Sequence, residues 1–324
     1  MSVLVCFHDR CFDGICSAAV FTSFYRHCID AKAEFRYRGM MHRAGQLFDE
    51  GMFNADENAI VDFKYSSSDR LTWWFDHHQS AFLTEADAEH FRTHQNGKKF
   101  YDPEFRSCTK FIAHATRRHF GFEAPQLEDV IHWADLIDGA QYPDIATAVE
   151  MREPATQLTL VIEGTREPDF SLRLIPQLLT KTLAEIVALP PVRRAFEELY
   201  DQHLKSIDLI RSRAQLHEGV IFFDVADQNT EGFNKFIPYY LFPQAVYCVG
   251  LSRSAERVKV AVGSNPWNTA PKLANLARIC ERYGGGGHAK VAAISLPPAD
   301  LEGARRVAAE IVQELQASSR QALP

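Results

Sequence analysis

The sequence predicts an α/β protein with an N-terminal doubly wound, mainly parallel sheet and a smaller second α/β domain. Short apolar, β-branched segments alternate with longer segments whose apolar residues recur at helical spacing, as in β-α-β units. The chain has 324 residues, which fits two domains of about 100–200 residues each. Hydrophobic residues make up 46% of the chain and charged residues 24%, so the composition is that of a folded globular protein.

The first part of the chain carries four predicted strands. Residues 2–7 form an apolar, β-branched run, and residues 15–25 are apolar at helical spacing, which predicts a strand–loop–helix unit. Further strands are predicted at 34–37, 58–62 and 70–75. Functional residues of doubly wound sheets lie beyond the carboxyl ends of the strands, and three of these strands end in acidic or histidine-bearing segments.

The rest of the chain is predicted to contain helices first and a second set of strands later. Helices are expected at 107–120, 127–137, 171–189, 192–215, 271–283 and 301–317, and strands at 220–225, 245–252, 257–262 and 291–296. The long charged helix suggests a connector, so we expect domains at 1–190 and 218–324 joined by a helical linker at 191–217.

Charge and cysteine content exclude several classes of function. The net charge of −7 argues against tight binding of long duplex DNA, although bound cations would still allow small anionic substrates. The seven cysteines form no CxxC pair, which argues against a disulfide framework or a zinc ribbon. No apolar run approaches the ~18–20 residues of a membrane span, and the N-terminus lacks a basic leader, so we expect a cytoplasmic protein with no membrane partner.

The segment Asp76-His77-His78 follows the tryptophan-rich strand predicted at 70–75. Adjacent histidines point in different directions on an extended or turning backbone, so one can bind a metal while the other faces a substrate. Asp76 could orient one imidazole through its ring N–H. The alternative is a polar turn at the end of a strand.

The loop after the first strand offers further ligands in His8, Cys11 and Asp13. Cys11 and Asp13 alternate as residues of an extended backbone do, so both could face one cavity. Gly14 permits close approach of the backbone. The alternative for Asp13 is the N-cap of the following helix.

Two more carboxylates complete a set that suits a metal. Asp62 ends an apolar strand, where an aspartate is usually a turn residue, and Asp135 lies in a predicted helix with Asp138 just after it. Oxygen and imidazole ligands of this kind suit Mn²⁺ or Mg²⁺. A carboxylate that bridges two metals about 3.5–4 Å apart is the arrangement that activates water for attack on phosphorus.

Four glycines at 284–287 precede His288 and Lys290. Such a run frees backbone N–H groups to surround an anion, and the two basic side chains could add donors to a phosphate. The alternative is a glycine helix stop with an uninvolved histidine, although a stop does not require four glycines.

In order and domain position these motifs resemble the DHH phosphoesterase superfamily with a C-terminal DHHA1 domain. That superfamily includes RecJ-type exonucleases, oligoribonucleases and cyclic-dinucleotide phosphodiesterases. The first motif is a CFDG variant, in which Cys11 stands where most members have an aspartate. The second motif matches Asp62, the third Asp76-His77-His78 and the fourth Asp135, while the GGGH signature of DHHA1 matches 285–293.

The resemblance implies a DHH catalytic domain, a DHHA1 substrate-binding domain and an active site in the cleft between them. It implies two Mn²⁺ sites, with Mg²⁺ or another divalent metal as alternatives. Asp62 would bridge the metals, with the remaining ligands in Asp13, His77 and Asp135 for one site and His8 and Cys11 for the other. The resemblance also implies that His78, with Asp76, acts on the scissile phosphate, and that the substrate is bound by Gly285, Gly286, Gly287, His288 and Lys290.

The activity implied is metal-dependent hydrolysis of phosphodiester bonds in short oligonucleotides or dinucleotides, by a two-metal mechanism with water as nucleophile. Alternatives are a phosphomonoesterase acting on small nucleotides such as 3′-phosphoadenosine phosphate, or a catalytically weakened nucleotide-binding module. Cys11 favours the last alternative, because a thiolate is a softer ligand than a carboxylate. The sequence leaves open whether the chain forms a homodimer.

Overall fold

The computed structural model describes residues 1–41, 47–49, 51–228, 232–268 and 274–322. The chain divides into two compact units, of which unit 1 comprises Met1–Tyr142 and Arg152–Glu197, and unit 2 comprises Pro143–Met151 and Glu198–Pro324. The domain limits expected from the sequence, 1–190 and 218–324, stay predictions.

Unit 1 contains a five-stranded, all-parallel sheet in the order β2-β1-β3-β4-β5. The strands are β1 (Ser2–His8), β2 (Glu34–Met40), β3 (Glu57–Val61), β4 (Trp73–Asp76) and β5 (Lys99–Tyr101). The chain places β2 on one side of β1 and β3 on the other, so the order reverses between β1 and β3. Doubly wound sheets bind ligands in the crevice at the carboxyl ends of two such strands.

Helices make up most of the remaining structure. In the described part of the chain they are α1 (Phe12–Cys28), α2 (Glu85–Thr93), α3 (Cys108–Phe120), α4 (Glu128–Asp138), α5 (Ile145–Val149), α6 (Pro154–Gly164), α7 (Phe170–Leu178), α8 (Leu183–Val187), α9 (Pro190–Arg213), α10 (Ile237–Leu241), α11 (Leu276–Glu281) and α12 (Leu301–Ala322). No described helix combines the length and the apolar character that crossing a membrane requires.

Both faces of the parallel sheet are buried. Trp73 packs on one face, with its ring centroid 5.9 Å from Phe21 and 5.5 Å from Phe24. Trp74 is next along β4 and therefore points to the other face, where its ring lies 4.8 Å from Tyr65. Both tryptophans are fully buried, as expected for an all-parallel sheet with elements packed on each side.

Unit 2 contains a six-stranded mixed sheet in the order β10-β11-β9-β8-β7-β6. Its strands are β6 (Gln215–His217), β7 (Val220–Asp224), β8 (Tyr247–Arg253), β9 (Val258–Ser264), β10 (Gly286–His288) and β11 (Val291–Leu296). Only the β7–β8 pair of this sheet is parallel. The α12 residues Ala304, Ala308 and Ile311 belong to the buried cluster of this sheet. The predicted α/β fold class, with a parallel sheet in the first unit and a second, mixed sheet in the other, is confirmed.

The predicted elements differ from the structure at several places. The single helix expected at 171–189 is two helices, α7 and α8, because Thr182 and Glu185 form a capping box that starts α8 afresh. Helix α2 was missed because it has no buried residue and hence no apolar periodicity. Helix α6 and strands β5, β6 and β10 were also missed. Of the helix predicted at 271–283, residues 271–273 lie outside the described residues and the structure has α11.

One partly buried carboxylate connects the amino ends of β3 and β4 to α1. Glu57 accepts hydrogen bonds from Trp73 Nε1 at 2.6 Å, Lys98 Nζ at 2.8 Å and Tyr25 Oη at 2.9 Å. Burial would raise the pKa of Glu57, but these three donors outweigh burial and hold the pKa below its ordinary value of 4.5.

We expect Glu57→Gln to lower the free energy of unfolding by about 1–2 kcal/mol at neutral pH, because three donors lose a charged acceptor. A carboxylate with a lowered folded-state pKa stabilises the fold above its unfolded-state pKa, and this stabilisation is lost as the pH falls through the folded-state pKa. The difference in free energy of unfolding between wild type and Glu57→Gln should therefore become smaller as the pH falls from 7 towards about 4 and below. Urea unfolding at each pH, followed by tryptophan fluorescence, measures this difference in free energy. Glu34→Gln, at an exposed strand position, is the control, and a gap independent of pH would contradict the argument.

Candidate metal centre

The carboxyl ends of three neighbouring strands bring the motif residues of unit 1 together. His8 ends β1, Asp62 follows β3, and Asp76 ends β4 just before His77 and His78. Because β1, β3 and β4 are adjacent and parallel, these ends lie along one edge of the sheet.

Asp62 lies at the centre of this cluster. Its Oδ2 is 3.5 Å from His8 Nδ1, and its Oδ1 is 3.4 Å from His77 Nε2. Its backbone adopts a left-handed conformation with φ 55°, held by a hydrogen bond from its N–H to the carbonyl of Phe75 at 3.0 Å. Such a conformation costs of order 1–3 kcal/mol outside glycine and is retained mainly at functional sites. The backbone thus aims the two oxygens at different partners.

His77 is oriented by a backbone carbonyl. Its Nδ1 lies 3.0 Å from the carbonyl oxygen of Phe105, so Nδ1 carries the proton and Nε2 faces the carboxylates. Nε2 lies 3.8 Å from Asp13 Oδ2 and 3.5 Å from Asp138 Oδ2. Metal-binding histidines commonly donate their other ring N–H to a carbonyl in this way.

Asp13 is fixed by the start of a different helix. Its carboxylate accepts hydrogen bonds from the backbone N–H groups of Cys108 at 2.6 Å and Thr109 at 3.0 Å, in the first turn of α3. A helix N-terminus favours a negative charge. The interpretation of Asp13 as the N-cap of α1 is wrong, because that position is Cys11 and no side chain caps the helix there.

The loop between β1 and α1 is closely packed against its own helix. A Cβ atom on Gly14 would lie 2.1 Å from the carbonyl oxygen of His8, so only glycine fits.

His8, Cys11 and Asp62 offer ligand atoms that all lie within 4.8 Å of one another. Burial, and next the charge of Asp62, raise the pKa of the Cys11 thiol far above its ordinary value. A cation bound here would therefore have to displace the thiol proton.

Asp76 orients the second histidine of the pair. Its Oδ1 accepts hydrogen bonds from His78 Nδ1 at 2.7 Å and from the backbone N–H of His77 at 2.9 Å. Burial would lower the pKa of His78, but Asp76 and Asp62 outweigh it and raise the pKa to about 9. The His78 side chain is 33% exposed while that of Asp76 is fully buried, so His78 is the one that can reach a ligand in solvent.

Two aspartates one helical turn apart on α4, Asp135 and Asp138, have different partners. Asp135 accepts a hydrogen bond from Lys110 Nζ at 2.5 Å and belongs to none of the ligand groups found among the described residues. Asp138 is instead grouped with Asp13 and His77. The ligand role of Asp135 stays a prediction, and Asp138 is the residue that sequence reasoning missed. Its position three residues on, at helical spacing, was the available signal.

Three overlapping groups of potential ligands result among the described residues: His8, Cys11 and Asp62; Asp62, His77 and His78; and Asp13, His77 and Asp138. Both oxygens of Asp62 and Nε2 of His77 are shielded from solvent, yet no described residue forms a hydrogen bond with them. Buried polar atoms without partners are costly. Burial would lower the pKa of His77, but Asp62 and Asp13 outweigh it and raise the pKa to about 10. A divalent cation fits this arrangement, because it would satisfy these atoms and replace the imidazolium charge.

The residues predicted to bind substrate lie in unit 2. The predicted glycine loop is partly strand β10, which pairs antiparallel with β11 and leaves His288 and Lys290 exposed. A Cβ atom on Gly285 would lie 2.4 Å from the Ala293 carbonyl oxygen, and Gly287 has φ 145°. Close packing and backbone conformation therefore explain why Gly285 and Gly287 are glycines, whereas a Cβ atom on Gly286 would meet open space. Substrate binding by this segment stays a prediction.

Comparisons with known proteins identify the fold. No protein-family model matches the chain, and no curated protein is similar to it in sequence. Among solved structures, the pGpG-specific phosphodiesterase PggH from Vibrio cholerae is 18% identical, with a TM-score of 0.70 over 98% of this chain and 99% of that chain. RecJ from Thermus thermophilus, solved with Mn²⁺, is 12% identical, with a TM-score of 0.54 over 100% of this chain and 52% of that chain. The chain thus has the fold of these DHH proteins, as the resemblance implied.

We expect Mn²⁺ to raise the unfolding temperature of protein stripped of metal with EDTA, and Asp62→Asn to remove most of that shift. A cation at 100 times its Kd stabilises by about 2.7 kcal/mol, which is several degrees for a chain of this size. Differential scanning fluorimetry measures the shift. Asp69→Asn, which changes an exposed carboxylate, is the control. A wild-type protein that responds to neither Mn²⁺ nor Mg²⁺ would contradict this prediction.

Asp138→Asn should weaken Mn²⁺ binding by about tenfold or more, whereas Asp135→Asn should change it by less than about threefold. The reason is that Asp138 faces Nε2 of His77 while Asp135 is paired with Lys110. Isothermal titration calorimetry of the two variants gives the comparison directly. The opposite order of effects would return the ligand role to Asp135.

Proposed function

We propose that the chain is a divalent-metal-dependent phosphodiesterase of the DHH superfamily that hydrolyses dinucleotides or short oligonucleotides. The observation that carries this proposal is Asp62, whose two shielded oxygens face separate ligand groups. One group contains His8 and Cys11, and the other contains His77. A carboxylate placed between two cations about 3.5–4 Å apart is the arrangement used for in-line displacement at phosphorus.

Bound divalent cations would be held by these groups and would supply charge neutralisation at the phosphate oxygens and a water of lowered pKa as nucleophile. The chain's own residues provide orientation. Asp13 and His77 are each held by backbone groups, so their ligand atoms are fixed before substrate binds. Asp76 fixes Nδ1 of His78, which leaves Nε2 to donate a hydrogen bond to a phosphate oxygen whose negative charge grows in the transition state.

The similar structures and the charge of the chain support the substrate class. One neighbour, which matches over 99% of its own length, is named a pGpG-specific phosphodiesterase. RecJ, another neighbour, is named an exonuclease and was solved bound to manganese, so Mn²⁺ is the cation we propose. The net charge of −7 favours short substrates over long strands, whose binding relies on many basic contacts. Gly285, Gly286, Gly287, His288 and Lys290 are proposed to hold the end of the substrate away from the scissile phosphate.

The test is hydrolysis of bis-p-nitrophenyl phosphate by the Mn²⁺-loaded protein. We expect Asp62→Ala and His77→Ala to lower kcat/KM by about a hundredfold or more, and Asp69→Asn to leave it unchanged. Turnover that survives both alanine substitutions would contradict the assignment of the site. Nucleotide binding without turnover under Mn²⁺, Mg²⁺ and Co²⁺ would favour the weakened binding module instead.

The same assay with a panel of natural phosphates decides the substrate class. The panel consists of pGpG, pApA, short RNA, 3′-phosphoadenosine phosphate and pyrophosphate. The highest kcat/KM should be for a dinucleotide or short RNA. A preference for 3′-phosphoadenosine phosphate would replace the diesterase with a phosphomonoesterase.

A further inference from the structure

A cavity of about 320 Å³ lies entirely within unit 1, and its lining includes Asp9 and Arg10, which stand between the candidate metal ligands His8 and Cys11. The segment after β1 forms one wall with Asp9 and Arg10, and the end of β2 forms another with Tyr37 and Arg38. The remaining wall comes from the residues before α7 and from its first turn. The cavity is within the size range of sites for small organic ligands, about 300–1,000 Å³.

The cavity and the metal centre share one rigid segment of backbone. Asp9 and Arg10 stand between His8 and Cys11, which belong to one of the ligand groups. Asp9 donates its backbone N–H to the carbonyl of Met40 at 2.9 Å, and Arg10 adopts a left-handed conformation with φ 55°. A small molecule in the cavity would therefore lie next to the same backbone segment that carries the candidate metal ligands His8 and Cys11.

Arg10 and two hydroxyl groups of the cavity have side-chain atoms without a partner among the described residues. The guanidinium of Arg10 forms no ion pair with any residue the structure describes. Thr165 Oγ1 is shielded from solvent and has no hydrogen-bond partner among the described residues. Ser171 is 7% exposed, and its hydroxyl likewise forms no hydrogen bond within the described part of the chain. Shielded polar groups of this kind are usually satisfied by a ligand or water.

The charge of the walls argues against a bare phosphate as the occupant. Two arginines and three carboxylates line the cavity. Among the described residues, Glu167 is the only one of these carboxylates that pairs with an arginine, Arg173 at 2.6 Å, and Arg38 pairs with Asp49 at 3.9 Å. Asp9 and Asp169 remain as acceptors, with Asp9 Oδ1 also accepting the backbone N–H of Arg10 at 2.8 Å. A dianion would be repelled by these carboxylates, whereas a neutral ligand with both donors and acceptors would not.

Guanine has the complementary pattern of polar groups. Its O6 and N7 accept from an arginine fork, and its N1–H and N2–H pair with a carboxylate. Adenine lacks that pair of adjacent donors. The rings of Tyr37 and Phe170 line the cavity and offer apolar surface for a planar base. We propose that this cavity binds the guanine base of the nucleotide substrate, a proposal that rests on the function proposed above.

The experiment compares substrates with and without a base, using the full-length, Mn²⁺-loaded protein. Wild type should hydrolyse a 5′-phosphorylated guanine dinucleotide with a kcat/KM about tenfold or more above that of its adenine counterpart. Arg10→Met and Asp169→Asn should each reduce this preference by about tenfold, mainly through KM. Turnover of bis-p-nitrophenyl phosphate, which has no base, reports separately whether the metal centre of each variant is intact.

A second measurement is independent of turnover. Saturation-transfer NMR should show binding of guanosine, but not of adenosine or inorganic phosphate, to wild type, and loss of the guanosine signal in Asp169→Asn. Equal turnover of the two dinucleotides, or binding of phosphate alone, would overturn the guanine site while leaving the phosphodiesterase proposal standing. Absence of any phosphodiester hydrolysis by wild type would overturn the proposed function, and guanosine binding would then show whether the cavity acts on its own.

Discussion

The burial of several carboxylates beside one another at the ends of parallel strands constrains the rest of unit 1. Asp13 and Asp62 are each 1% exposed, and Asp76 is fully buried. Removing a carboxylate from water costs several kcal/mol unless its charge is compensated, and neighbouring like charges add to that cost. The imidazole of His77, whose pKa is raised by these carboxylates, compensates part of this charge. Bound cations would compensate the rest, so metal binding and the stability of this edge of the sheet are coupled.

The surrounding structure holds three of the candidate site residues through groups outside the set of candidate ligands. The first turn of α3 holds Asp13, the carbonyl of Phe105 holds His77, and Asp76 holds His78. Because these partners are backbone or buried groups, the ligand atoms have little freedom to lose when a cation or substrate binds. The left-handed backbone of Asp62 adds strain, which the hydrogen bond to Phe75 and the packed sheet must offset.

The proposed guanine site would add selection of a substrate to this arrangement. A metal centre for phosphate chemistry recognises groups that every nucleotide carries, so it distinguishes nucleotides poorly. The cavity offers base-sized space with mixed polar groups, and it is formed by the same segment after β1. Chemistry and selectivity would thus depend on one short stretch of backbone, whose path requires glycine at position 14, where a Cβ atom would lie 2.1 Å from His8 O. On β2, a Cβ atom at Gly39 would lie 2.6 Å from Asp9 Oδ2, so a larger residue there would displace the Asp9 side chain.

The sequence by itself determined the alternation of strands and helices, and with it the fold class and the polar residues at the strand ends. These features follow from local periodicity, which a single chain displays directly. It did not determine which side chains face each other. Lys110, 25 residues away along the chain, engages Asp135, so Asp138 is the aspartate that faces His77. The split between α7 and α8 was also readable from the sequence, because Thr182 and Glu185 form a local capping box. The cavity beside α7 was decided only in the tertiary structure, because packing between distant segments leaves no periodic trace in the sequence.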